Sequence, residues 1–179
     1  MATDRLADHC RAFQQGDLAA LDRLYELCHP PLWRFVSMLC RDRDEAADIC
    51  QETWMRAMQK IHSLRAPARI QAWLFAIAHR EFQKRGTRRS PAQHTNVDEV
   101  VAPDAGGDGL VLRAEQLAAA SHAIDALSAE HRTVLWLSVV DGLSHAEIGR
   151  ILGIPEGTAR SRLHYALQAL RRELEVHHD

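Results

Sequence analysis

Residues Gly142 to Leu174, GLSHAEIGRILGIPEGTARSRLHYALQALRREL, allow very few backbone paths. Ser144 and Glu147 have the S-x-x-E spacing of a capping box, which starts a helix at about His145. Ile148, Ile151 and Leu152 give that helix an apolar face at helical spacing. Gly153 then supplies the left-handed residue of a sharp turn, and Pro155 presets the first dihedral of a second helix. Small Gly149 lets the two helices cross closely, as in a helix-turn-helix. Leu163, Leu167, Leu170 and Leu174 form the expected inward stripe of the second helix.

In a helix-turn-helix the N-terminal end of the second helix enters the major groove of DNA. Here that end carries Glu156, Gly157, Thr158, Arg160 and Ser161, short polar groups with a guanidinium suited to guanine or phosphate. A plain helical hairpin with a solvated basic face has the same pattern, so spacing alone leaves both readings open.

The rest of the chain is helical in pattern. Asp17 suits the N-cap of a helix from Leu18 to Cys28, with Leu18, Leu21, Leu24, Tyr25 and Cys28 as its buried stripe. Pro30 and Pro31 are expected to break it and to seed another at Leu32 to Arg41, with Trp33, Val36 and Leu39 or Cys40 inward. Asp42 and Asp44 cap a third helix running to about His62. It buries Ala46, Ile49, Cys50, Thr53, Trp54, Ala57, Met58 and Ile61. Glu45, Asp48, Glu52, Arg56 and Gln59 project from its other side, with Gln51 at the margin, and solvation alone accounts for such a face. After a loop at Ser63 to Arg69, a fourth helix runs from Ile70 to about Arg85 over Ile70, Trp73, Leu74, Ile77 and Ala78, with Phe82 as a further candidate. From Thr87 to Gly109 periodicity vanishes, and Asp98 to Asp108 carries four acids. Leu110 to Ala126 resumes helical spacing. Ser128 caps a helix over Ala129 to Val140, with Val134, Leu135, Leu137 and Val139 or Val140 inward. No strand pattern or internal repeat is present. The expected fold is all-α, with helical domains at 1–89 and 110–179 joined by a flexible acidic linker at 90–109.

Net charge is only −2, so the charge distribution matters more than its sum. Arg80 to Arg89 holds five basic residues against one acid, and Arg160 to Arg172 holds four and no acid. Acids gather instead at Asp42 to Glu52, in the linker and at the C-terminal end. Segregated basic patches and a separate acidic stripe suit two kinds of partner. No run approaches a membrane span and the first residues lack a signal-peptide core, so a cytoplasmic protein without membrane insertion is expected.

Three stretches carry a family resemblance: LYELCHPPLWRFVSMLCRDRDEAADICQETWMRAM, AWLFAIAHREFQKRGTRR, and DALSAEHRTVLWLSVVDGLSHAEIGRILGIPEGTARSRLHYALQALRREL. Together they resemble a bacterial extracytoplasmic-function (ECF) sigma factor. DEAADICQET and GTARSRL, in that order, are the most specific pieces. The resemblance implies a protein that binds core RNA polymerase and directs it to promoter DNA. It also implies control by an anti-sigma factor and a role in a stress or envelope response. By the same carry-over, Asp48, Gln51 and Glu52 lie on the polymerase-binding face. Arg65 and Arg69 flank a loop that captures an unstacked base, and Arg80, Gln83, Lys84 and Arg85 line the −10 DNA. The −35 readers fall at Glu156, Thr158, Arg160, Ser161 and Arg162. The chain departs from the family pattern in having Lys84 where an Asp is usual, and Ala159-Arg160 for Val-Lys. The smaller Ala159 is expected to loosen the helix-turn-helix core by about a kilocalorie per mole or more.

Other classes fit less well. A response-regulator activator shares the helix-turn-helix but needs an α/β receiver domain ahead of it. His9, Cys10, Cys28, His29, Cys40 and Cys50 raise a metal or redox site, yet the cysteine spacings of 18, 12 and 10 match no ligand pattern. Neither metal nor cofactor is expected. No phosphate-binding loop or nucleophile–base set points to an enzyme or to a small-molecule substrate.

Overall fold

The computed structural model describes residues 2–40, 42–86, 123–124 and 126–176, with side chains over 5–172. The expected linker and most of Leu110 to Ala126 lie outside the described residues. Among those described, seven α-helices and two short 3-10 turns make up the regular structure, with no strand. The chain forms two compact units, Met1–His94 with Gly149–Ile154 and Thr95–Ile148 with Pro155–Asp179. An all-α, two-domain architecture is thus observed.

The first unit opens with a helix the sequence reading missed, α1 (Ala2–Gln14). Its inward residues recur at helical spacing: Ala7 and Cys10 are buried, with Leu6 and Phe13 half-buried. Asp17 caps α2 (Ala19–Leu39) as expected, its Oδ1 accepting from the Ala19 amide at 3.0 Å. The prolines do not break this helix. Pro30 and Pro31 lie inside one 21-residue helix, which corrects the two-helix expectation. The carbonyls that lose their amide partners belong to Glu26 and Leu27, both exposed, where water can take the missing bonds. A helix-interior proline costs roughly 3 kcal/mol, whereas burying Leu32, Phe35 and Val36 contributes about 1.5–3 kcal/mol each. Packing wins. Leu18 and Tyr25, expected inside, are 74% and 45% exposed. Tyr25 stacks on His29 with ring centroids 4.5 Å apart and tilts against Trp54 at 5.0 Å.

Helix α3 (Arg43–Lys60) is capped by Asp42, whose Oδ1 accepts from the Asp44 amide at 3.1 Å. Ala46, Ile49, Cys50, Thr53, Trp54 and Ala57 are buried, and the Trp54 indole donates to His29 Nδ1 at 3.3 Å. Met58 is 44% exposed instead of buried, since its place falls past the flank that α2 and α4 cover. The 3-10 turns Ile61–Ser63 and Pro67–Arg69 lead into α4 (Ile70–Gly86). Phe75 of α4 meets Phe35 of α2 at 4.9 Å between centroids.

One buried carboxylate ties α3 to α4. Glu81 Oε1 lies 2.9 Å from Arg56 Nε and 2.9 Å from Lys84 Nζ, and Arg56 also reaches Glu52 at 2.8 Å. Glu81 keeps only 9% side-chain exposure, so removing it takes the nearest countercharge from the buried Nε of Arg56 and leaves a gap between the helices. Glu81→Ala should lower stability by about 1–3 kcal/mol in urea unfolding, and Glu52→Ala by only about 0–1 kcal/mol. Equal losses at the two positions would show that the cross-helix pair is no stronger than the exposed one.

All four cysteines are buried free thiols. Burial pushes Cys28, Cys40 and Cys50 up to about 12 and raises Cys10 as well. Thiolate, the reactive form, is therefore scarce near neutral pH. In the native protein they should react with a disulfide reagent at least tenfold more slowly than in denaturant, measured by thiolate release at pH 8. Rapid native reaction would mean that a helix opens to expose one of them.

In the second unit α5 (Ala129–Val139) starts at Ser128, whose Oγ accepts from the His131 amide at 3.4 Å. Helix α6 (His145–Leu152) runs across the division at Ile148–Gly149, and its capping box is complete: the Ser144 amide donates to Glu147 at 3.0 Å, and the Glu147 amide to Ser144 Oγ at 3.3 Å. Gly153 turns the chain with φ +69°, and α7 (Glu156–Val176) follows Pro155. Helices α5 and α7 pack together over Val134, Leu137, Ala159, Leu163 and Ala166. Leu167 is 46% exposed and Leu170 half-buried, while Leu174 has no described side chain. The inward stripe thus runs through alanines the leucine pattern had hidden. Val139 and Val140, of which one was expected inside, are 65% and 48% exposed at the end of α5.

Candidate nucleic-acid interface

On α3, Asp48 and Gln51 are exposed and Glu52 is half-buried. These three lie on one flank of the helix, opposite its core stripe, and exposed Met55 shares that flank. Methionine beside carboxylates makes a surface that is acidic and adaptable. Met55 was passed over in the sequence because an exposed methionine has no spacing signature.

The loop between α3 and α4 presents Arg65 and Arg69, both exposed. It is not held by its own turns alone. Gln14, at the end of α1, donates from Nε2 to the Ile61 carbonyl at 2.7 Å and to the Leu64 carbonyl at 2.9 Å. Nothing local in sequence announces this, since 47 and 50 residues separate the partners.

Along α4, Arg80, Gln83 and Lys84 are exposed and share a face, while Arg85 is half-buried. Lys84 stands beside Glu81, the lone acid of the basic run, and Arg85 reaches Asp48 of α3 at 3.2 Å. The structure thereby brings together residues assigned to two different partners. Asp48 meets Arg85, and Glu52 connects through Arg56 and Glu81 to Lys84. Trp73, weighed as a stacking platform or as core, is half-buried.

At the start of α7, Glu156, Arg160 and Ser161 are exposed and Thr158 is half-buried. Arg160 pairs with Glu156 at 3.1 Å within one turn, with both side chains more than half exposed. Such a pair is worth about 0–1 kcal/mol and opens readily toward a phosphate or a base. Ser161 Oγ donates to the Thr158 carbonyl at 3.1 Å. Arg162 differs from its neighbours. It is half-buried and lies 2.6 Å from Glu130, tying α7 to α5. Ala159 is fully buried beneath this surface.

Comparisons with known proteins agree across both units. The family profile described as sigma-70 region 2 matches residues 24–91, and that described as sigma-70, region 4 matches 117–170. The chain is 36% identical over 162 residues to ECF RNA polymerase sigma factor SigL of Mycobacterium tuberculosis, covering 89% of this chain and 92% of that one. It is 30% identical over 164 residues to ECF RNA polymerase sigma factor SigW of Bacillus subtilis, covering 86% and 83%. Among solved structures it resembles the sigma factor RpoE crystallised with the anti-sigma factor NepR from Bartonella quintana. That match has a TM-score of 0.60 at 27% identity, over 87% of this chain and 97% of that one. Two matched regions in sequence order, and relatives spanning nearly all of the chain, place this protein in the extracytoplasmic-function family of RNA polymerase sigma factors.

Proposed function

We infer that this chain binds core RNA polymerase and directs it to promoters, acting in the cytoplasm as a non-enzymatic initiation factor. The observation that carries this is the presence of both matched regions in one chain, each with exposed polar residues where its partner would sit. Asp48, Gln51 and Glu52 on α3 are the polymerase contacts in this reading. Arg65 and Arg69 flank the base-capturing loop, and Arg80, Gln83, Lys84 and Arg85 follow the −10 strand. Glu156, Thr158, Arg160, Ser161 and Arg162 serve the −35 element, Arg162 by exchanging Glu130 for phosphate. Functional boundaries at 1–89, 90–109 and 110–179 accompany this assignment. Restraint by an anti-sigma factor belongs to the same reading, supported by the resemblance to RpoE solved with NepR.

The chemistry is that of positioning. Arginines and lysines supply salt-dependent affinity for phosphate, and a few side chains at base edges supply sequence preference. Melting further requires a place for an unstacked base and a basic track for the freed strand.

The polymerase assignment is tested with Asp48→Arg/Glu52→Arg. The double variant should lose co-purification with core polymerase while keeping its far-ultraviolet helicity. Wild-type binding would move the contact off this face of α3.

The promoter assignment is tested at two points on α7. Arg160→Ala should relax preference at one or two −35 positions, by roughly 1–3 kcal/mol of discrimination. Arg171, exposed three turns further on, should on replacement by alanine weaken all promoters slightly and alike, lowering the salt slope by about one at most. Binding across a −35 point-mutant panel at two salt concentrations separates the two effects. A uniform loss from Arg160→Ala would make Arg160 a phosphate clamp and leave reading to Glu156, Thr158 or Ser161.

A further inference from the structure

We propose that Gln14 is a positioning residue for capture of the unstacked −10 base, acting from α1 through the loop that joins α3 to α4. The proposal rests on the reading of that loop given above. Its observation is the pair of hydrogen bonds from one side-chain amide to two loop carbonyls, at 2.7 Å to Ile61 and 2.9 Å to Leu64.

A primary amide has two N–H donors on one nitrogen, and here each takes a different carbonyl. The Ile61 carbonyl also accepts from the Leu64 amide at 3.1 Å, closing the first 3-10 turn. Gln14 therefore grips that turn at its start and again at its end. The second grip matters most for function. The Leu64 carbonyl shares a planar peptide with the amide nitrogen of Arg65, so holding that oxygen fixes the plane from which Arg65 departs. Past Arg65 the chain enters the second turn, Pro67–Arg69, and α1 packs against that turn too.

The support behind Gln14 is firm. Ala7 and Cys10 bury α1, which also packs along α2 and touches α4. Gln14 itself is half-buried, which shields its bonds from water. Helix α1 ends before residue 24, where the match to region 2 begins, so this buttress lies outside the matched stretch. Capture of a flipped base favours a loop ordered in advance, because ordering it on binding subtracts from affinity. The amide of Gln14 provides that order by joining the start of the loop to a rigid helix.

Gln14→Glu is the decisive substitution. It keeps the shape but sets an acceptor oxygen against two carbonyl oxygens, and an ionised carboxylate has no proton to donate. Gln14→Leu removes the donors without adding charge. Holoenzyme made with each full-length variant is followed by fluorescence of 2-aminopurine in the non-template −10 strand, beside core-polymerase affinity and thermal melting. Both variants should open the promoter about tenfold less well, for the two bonds lost, with polymerase affinity unchanged. The Gln14→Glu defect should shrink as pH is lowered, because the protonated carboxyl regains one donor, and the Gln14→Leu defect should not. Arg65→Ala and Arg69→Ala run alongside. If these alter −10 preference while both Gln14 variants open normally, the role of Gln14 is overturned and the loop assignment stands. If the arginine variants also behave as wild type, the loop assignment fails and the proposal falls with it. Parallel loss of polymerase affinity and melting temperature in the Gln14 variants would reduce Gln14 to general support and overturn the proposal as well.

Discussion

Helix α3 has to satisfy three neighbours with 18 residues, and the rest of the first unit follows from how it does so. Its core flank, from Ala46 to Ala57, is covered by α2 and α4. That packing fixes the rotation of the helix to within one residue, since side chains on a helix cannot trade faces without unwinding it. Once rotation is fixed, Asp48, Gln51 and Met55 must point outward, and Arg56 must reach toward α4. Asp42 sets the start of the helix and the 3-10 turn at Ile61–Ser63 follows its end, so the register along the axis is bounded too. A surface made of so few residues can be specific because it has only one way to be displayed.

Where a local interaction decides structure, the sequence was readable. Asp17, Asp42, Ser128 and the Ser144–Glu147 pair cap the helices expected of them, because a cap is chemistry between residues two or three apart. Gly153 is of the same kind. Apart from the missed α1, the failures are cases of tertiary override. Pro30 and Pro31 looked decisive by local rules, yet burial on both sides of them carries α2 through. Tyr25, Met58 and Leu167 have the right spacing and the wrong surroundings. No neighbouring helix covers them fully. Conversely, Ala159 and Ala166 hold the centre of the α5–α7 contact although alanine gives little hydropathic signal. For the candidate interface, residues were assigned through the family pattern. The partners were not, since Gln14, Glu81 and Glu130 act across helices and leave no spacing behind.

The charge pattern takes on a different meaning once these partners are known. The run from Arg80 to Arg89 reads as a basic tract with a single acid, but Lys84 and Arg85 are each beside an acid. Arg160 and Arg162 are likewise paired with Glu156 and Glu130. The unbound protein therefore presents a softer positive field than its basic residues suggest. The Arg160–Glu156 pair, exposed on both sides, costs little to exchange, so a polyanion can displace that acid without unfolding anything, whereas Lys84 faces the buried Glu81. Screening in this form curbs attraction to arbitrary DNA while leaving the cations in place.

The chain of contacts from Glu52 through Arg56 and Glu81 to Lys84 has a consequence for genetics. Two residues assigned to separate partners share intermediates within hydrogen-bonding distance, and such residues do not behave independently. Changes at Glu52 and at Lys84 will combine non-additively, because each alters the charge balance around the same buried carboxylate. A natural variant that loses one of these charges can therefore be rescued by a second change on the other helix. Covariation between these positions across relatives would trace this internal wiring, and reading it as contact with a common external partner would be a mistake.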